Sequence, residues 1–290
     1  MRKLVAGAAL LSIAAACAFA QDTGSEPAPT QGLTPGRKLP FLAHLATDRG
    51  IELPRPFGAG AVYYYISRDI KVTDVRVGLN SATPTSTGEF AQFATTSSVH
   101  NFNAKFDVWL LPFVNVYAIA GVVSNQSQTT IDVTLPAPRP GGEARRRRVT
   151  IPTSLEGSVG GVGTTLAGGY GHWFAALDIN AAQADLGFDD RFKAIVTSLR
   201  TGWHGTAGRR PLRMWANATY WDTFATASGA IADPDGAGTL HFEVDQGPLH
   251  PWTYGAGLQY SARRWLDVAA DFGTDFRGGF YVAIVPVIRF

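Results

Sequence analysis

Cysteine is nearly absent: the 290 residues contain one, Cys17. A disulfide framework is therefore excluded, and the fold must close by other means. Long apolar runs are missing as well. After residue 21 no segment reaches the ~18 continuous apolar residues of a membrane helix. Charge of either sign is scarce, with 17% charged residues and 25 Lys and Arg against 23 Asp and Glu. Nothing in that balance points to nucleic acid as a partner. The six histidines show no metal-ligand spacing with cysteine or acidic residues. No metal or cofactor is expected.

What is present begins at the N-terminus. Arg2 and Lys3, an apolar stretch from Leu4 to Ala16, and the small-x-small triplet Ala18-Phe19-Ala20 have the layout of a secretory signal peptide. The apolar stretch is roughly two-thirds of the ~20 residues a spanning helix needs. Lipoprotein processing at Cys17 is the rival reading, disfavoured because Ala14-Ala15-Ala16 lacks the leucine such sites usually carry. Cleavage after Ala20 would remove Arg2, Lys3 and Cys17, and leave as many basic residues as the 23 acids. Residues 21–37 are rich in Pro, Gly, Ser and Thr and read as a flexible leader. Residues 38–49 read as a short amphipathic helix that either plugs a lumen from below or rests at an inner interface. The expected division is a signal peptide at 1–20, a periplasmic leader at 21–52 and one barrel at 53–290.

The barrel reading rests on alternation. In Asn101–Leu110 the odd positions are Asn101, Asn103, Lys105, Asp107 and Trp109, and the even ones are Phe102, Ala104, Phe106, Val108 and Leu110. Successive strand residues point to opposite faces. One face can therefore meet lipid while the other lines an interior where charges pair. A membrane β-strand needs only ~9–11 residues to span. The pattern recurs in 172–180, 212–221, 252–261 and 266–272. Aromatic residues gather near strand ends on the apolar parity, at Tyr220, Trp252, Tyr260, Phe272, Phe280 and Phe290. Those are girdle positions for two lipid–water interfaces.

Ten strands are predicted, at 57–78, 98–110, 113–123, 154–168, 171–183, 191–203, 211–222, 251–261, 264–274 and 279–290. The first is expected to bulge near Arg68-Asp69. A twelve-strand alternative adds 128–135 paired with 147–152. The fold class is all-β, a transmembrane antiparallel up-and-down barrel. Short periplasmic turns and long outer loops at 79–97, 124–153 and 223–250 suit such a barrel. The final stretch "GGFYVAIVPVIRF", ending in Phe290, has the form of an assembly signal read by the barrel-insertion machinery.

Two segments carry a resemblance. "LPRPFGAGAVYYY" (53–65) and "KFDVWLLPFVNVYAIAG" (105–121) are similar to a family of uncharacterised proteobacterial outer-membrane β-barrel proteins. The resemblance implies the barrel fold and an outer-membrane location in a Gram-negative bacterium. It implies no activity and no catalytic residues.

Seven charges fall on the interior parity: Lys105, Asp107, Asp178, Arg213, Asp267, Asp271 and Arg289. Unpaired charge in a narrow interior is costly, so they are expected to form a polar network. Arg145, Arg146, Arg147 and Arg148 are the densest charge run. On an outer loop they could hold lipopolysaccharide phosphates by bidentate contacts. "GSVGGVG" (157–163) lacks the Lys-Ser/Thr of a phosphate loop and reads as glycines that make room in a small barrel. Asp185, Asp189, Asp190, Asp222, His241, Asp245 and His250 fall near the outer rim, where scattered acids and imidazoles make a poor case for an enzyme. The expected role is structural or surface-binding with a filled lumen; a narrow channel for small solutes is the alternative. Outer-membrane lipid and lipopolysaccharide are the expected partners.

Overall fold

The computed structural model describes residues 39–47, 53, 55–79, 85–86, 91–135, 145–187, 191–232 and 239–290. The signal peptide at 1–20 and the leader at 21–37 lie outside them. The elements are α1 (His44–Thr47), β1 (Phe57–Leu79), β2 (Thr85–Ser86), β3 (Ala91–Leu111), β4 (Val114–Leu135), β5 (Arg145–Tyr170), β6 (Trp173–Asp185), β7 (Phe192–Ala207), β8 (Arg210–Ala232), β9 (Thr239–Pro248), β10 (Trp252–Arg263), β11 (Leu266–Thr274) and β12 (Phe280–Arg289). Ten of the strands close a ring in the order β1-β3-β4-β5-β6-β7-β8-β10-β11-β12, every neighbour antiparallel. Closure is completed where Gly58 pairs with Arg289 and Ser67 with Phe280. At that seam Phe57 and Phe290 exchange backbone hydrogen bonds of 3.3 and 3.0 Å. Closing the ring removes the unpaired edges that a long sheet would otherwise expose.

The alternation in the sequence sets which face is which. On β3, Phe102 and Phe106 are exposed at 56% and 50%, while Asn101, Asn103, Lys105, Asp107 and Trp109 are buried. Along β12 and the Phe290 that follows it, the exposed residues are Phe280, Ile284, Ile288 and Phe290, and the buried ones are Tyr281, Ala283, Val285, Val287 and Arg289. The exposed side of the barrel is thus apolar, while the inside mixes charged and polar side chains with aliphatic and aromatic ones. Tyr220, Trp252, Tyr260, Phe272, Phe280 and Phe290 are all exposed on that apolar face.

Tight turns at 112–113, 171–172, 208–209 and 264–265 lie at one end. Two of them need positive φ, supplied by Gly171 and Gly208. The chain before β1 sits at the same end, where the Phe41 N–H donates to the Leu110 carbonyl at 2.8 Å. Ala43 and Ala46 are buried there, and Phe41 and Leu42 stay exposed. The amphipathic helix expected over 38–49 is a single turn, His44–Thr47.

At the opposite end the structure corrects the sequence reading. Much of what reads as outer loop is strand. β4 and β5 stay paired from Val114–Leu166 to Leu135–Arg145, about twice the ~9–11 residues a span requires. The pair at 128–135 and 147–152 therefore lengthens two existing strands and adds none. β9 does add a strand outside the ring. It pairs with the upper parts of β8 and β1 above the shorter β11–β12 hairpin. The irregularity in β1 falls between Val72 and Asp74, opposite β9. Arg68 and Asp69 pair regularly with Ser97 and Thr96, so no bulge lies there. On β3 and β4 the segments read as loops because, above the apolar belt, both faces carry polar residues, as 95–98 and 124–130 do. The alternation that marks a strand in lipid then vanishes, although the ladder of hydrogen bonds continues.

Candidate functional site

Inside the turn end of the barrel, Arg289 Nη1 donates to Asp107 Oδ1 at 2.6 Å. Asn115 Nδ2 donates to the same oxygen at 2.9 Å. Arg289 Nε lies 3.7 Å from Asp267, and the Ser261 hydroxyl donates to Asp267 at 2.6 Å. Asp107 and Arg289 are side by side because both flank Gly58 of β1, one on each neighbouring strand. A Cβ on Gly58 would strike both of their side chains. Arg213 Nη1 donates to Gln259 Oε1 at 3.0 Å across the β8–β10 pair.

The next constellation belongs to Asp178. It accepts from the Tyr117 hydroxyl at 2.9 Å and from the Thr165 hydroxyl at 2.6 Å. Lys105 Nζ stands 4.4 Å from the centre of the Tyr117 ring, a cation–π contact. Tyr117 can lie flat across its neighbour because its cross-strand partner is Gly163. Trp215 lies over Gly257 and Tyr281 over Gly273 in the same way, each a directly paired residue. Gly163 of the 157–163 run, Gly257 of β10 and Gly273 of β11 thus let aromatic rings fill the interior, the role inferred for glycine in a small barrel.

Asp271 anchors a third group. Asn217 Nδ2 donates to it at 2.6 Å and Trp215 Nε1 at 3.2 Å. The Tyr281 hydroxyl lies 3.2 Å from Asp271 and 3.1 Å from Asn217 Oδ1, and Arg200 Nε is 3.7 Å from Asp271. Above it, Tyr64 packs against Tyr281 at 5.6 Å and Trp221 at 5.8 Å between ring centres. Arg68 caps Trp221 at 5.6 Å and donates to the Thr223 hydroxyl at 3.1 Å. The void among Tyr64, Arg200, Thr219, Trp221, Asp271, Tyr281 and Ala283 is about 10 Å³, room for about one water molecule.

All seven charges singled out by parity face the interior. The structure gathers them into groups: Asp107, Asp267 and Arg289 together with Lys105 close to Asp107 on the same face of β3, Asp178 bound to the Tyr117 over which Lys105 lies, Asp271 with Arg200, and Arg213 with Gln259. Sequence reasoning missed Arg200 and Arg68, both buried, and the aromatic residues that insulate them. Parity would have exposed Arg200: Phe192, Ala194, Val196, Ser198, Arg200 and His204 share the buried face of β7.

Arg145 to Arg148 are part of β5, paired with Leu135 to Asp132, and are not a loop tip. Arg148 is exposed. At the outer rim, Asp245 binds Arg76, as do Asp74 and Glu243. Asp189 and Asp190 lie outside the described residues. Among the described residues no group of three or more His, Cys, Asp or Glu is placed to hold a metal ion.

A closed ten-stranded antiparallel barrel, apolar outside and interlocked by charges and aromatic rings inside, is the class this geometry defines. No protein-family model matches the chain, and no curated protein matches it. Among solved structures the chain is similar to the toluene transporter TbuX of Ralstonia pickettii, with 11% identity, a TM-score of 0.32, and 82% of this chain and 90% of that one covered. It is similar to the β domain of the Bordetella autotransporter BrkA, at 13% identity and a TM-score of 0.34, covering 80% and 99%. For the Pseudomonas putida toluene transporter TodX the values are 10%, 0.29, 80% and 90%. At such scores the likeness decides neither strand number nor cargo.

Proposed function

We propose that the chain is an integral outer-membrane barrel with a closed lumen, acting as a structural and surface-binding protein and not as a pore or an enzyme. The observation that carries this reading is the interior itself. Tyr64 and Arg68 of β1 reach Trp221 and Thr223 of β8 across the lumen, and Arg200 of β7 reaches Asp271 of β11 beneath them. The exposed apolar wall supports placement in lipid, since burying it removes large aromatic and aliphatic side chains from water. Arg148, exposed high on β5, suits an anionic partner such as lipopolysaccharide phosphate. Phe290, stacked on Phe57 at 6.0 Å, is the proposed mark for the insertion machinery.

A narrow channel is the second reading. It is favoured by Asn101, Asn103 and Asn180, whose buried side-chain amides meet no protein partner among the described residues. Buried amides seek hydrogen bonds, and a thread of small polar guests would supply them. Single-channel recording of the refolded protein in a planar bilayer separates the two. The closed barrel predicts a silent bilayer, and steady open currents would overturn it.

A further inference from the structure

Above the apolar belt, β3, β4 and β5 present a different outer surface. Cross-strand register stacks it in rows. Phe102 and Val122 end the belt on β3 and β4. His100, Ser124 and Glu156 form the next row, then Ser98, Gln126 and Ser154, then Thr96, Gln128 and Pro152. The last two rows line a groove of about 520 Å³, completed by Ser127 and Thr153. That volume falls within the ~300–1,000 Å³ of small-molecule sites. Gln126, Gln128, Pro152 and Ser154 are exposed. Gln126, Gln128 and Ser154 make no side-chain hydrogen bond among the described residues. Beyond Ser158, β5 pairs only with β4 among the described residues, which leaves its other edge open beside the groove.

We propose that this groove holds the saccharide part of a glycolipid from the same membrane leaflet. The inference rests on the outer-membrane reading above. Hydroxyl and carboxamide groups both donate and accept, as sugar hydroxyls do. No cation is among the described residues that line the groove, and Glu156 in the row beneath disfavours a phosphate there. Height selects the membrane's own lipid. The Ser98 row is four residues above Phe102, about 13 Å along the strand and nearer 10 Å once strand tilt is included. Hydrocarbon ends at the belt, so sugars attached to a lipid anchored beside Phe102 and Val122 reach this level.

The test uses the full chain refolded into phosphatidylethanolamine–phosphatidylglycerol vesicles. Three additions are compared: lipopolysaccharide with its core sugars, lipid A without them, and the free core oligosaccharide. The readout is the temperature at which the folded band is lost from unboiled gels. Core-bearing lipopolysaccharide is expected to raise it by several degrees, lipid A and free oligosaccharide much less. A Gln126→Ala/Gln128→Ala variant is expected to lose that rise while melting normally in plain phospholipid. An equal rise with lipid A, an equal rise with free oligosaccharide, or a full rise in the variant overturns the proposal. A folded band indifferent to sugar overturns this proposal alone; no folded band in any vesicle overturns the membrane reading with it.

Discussion

Asp107 and Arg289 are 182 residues apart in the chain and 2.6 Å apart in the barrel, bridged over Gly58. The first strand of the ring carries the glycine, and its two neighbours, β3 and β12, carry the charges. The ion pair therefore spans the seam at which the barrel closes.

Gly58→Ala is expected to force this pair apart, because the new methyl group meets both side chains. Overpacking of this kind costs about 1–3 kcal/mol. Urea unfolding in lipid vesicles should show that loss. An alanine barrel as stable as the parent would mean that the seam relaxes freely.

Removing one member of the Arg200–Asp271 pair should cost more than removing both. Asp271→Leu takes the carboxylate from a buried guanidinium, a change worth about 3–5 kcal/mol, whereas replacing both partners by apolar residues removes that charge penalty and leaves only the lost acceptor of Asn217 and Trp215. A double-mutant cycle of Asp271→Leu with Arg200→Met would measure the coupling. Strict additivity would show that Trp215, Asn217 and Tyr281 carry the site without the ion pair.

Cysteines placed at Phe106 and Asp107 should behave oppositely. Phe106 is 50% exposed on the apolar wall and Asp107 is 1% exposed inside. A membrane-soluble label is expected to react at 106, and a small water-soluble label, if either, at 107. The reverse pattern would place every interior residue named above on the outer wall. That would cost roughly 2–4 kcal/mol for each Lys or Arg at mid-bilayer.

Deleting Phe290 should slow assembly more than it weakens the folded barrel. Its side chain is 54% exposed, so its burial adds little, although its backbone is hydrogen-bonded to Phe57. Pulse-labelled appearance of the heat-resistant band checks the rate, and urea unfolding checks the stability. Normal assembly with a large loss of stability would reverse the assignment.

The sequence by itself determined parity. Pleating forces a two-residue period on every strand. Lys105 and Asp107 therefore declared an interior face as soon as Phe102, Phe106 and Val108 declared an exterior one. Ten ring strands, the tight turns and the inward set from Lys105 to Arg289 were all legible from that local rule. Only the tertiary structure decided who meets whom. Arg289 reaches Asp107 because β12 and β3 flank the same glycine, and Asp178 finds Tyr117 because β5 between them carries Gly163. Such pairings depend on strand order and register, which link residues far apart in the chain and leave no periodic trace. The outer extensions of β3 and β4 were hidden for a different reason. Above the apolar belt water can reach the outer wall, so polar residues on both faces are tolerated. Backbone pairing then continues where the hydrophobic pattern has stopped.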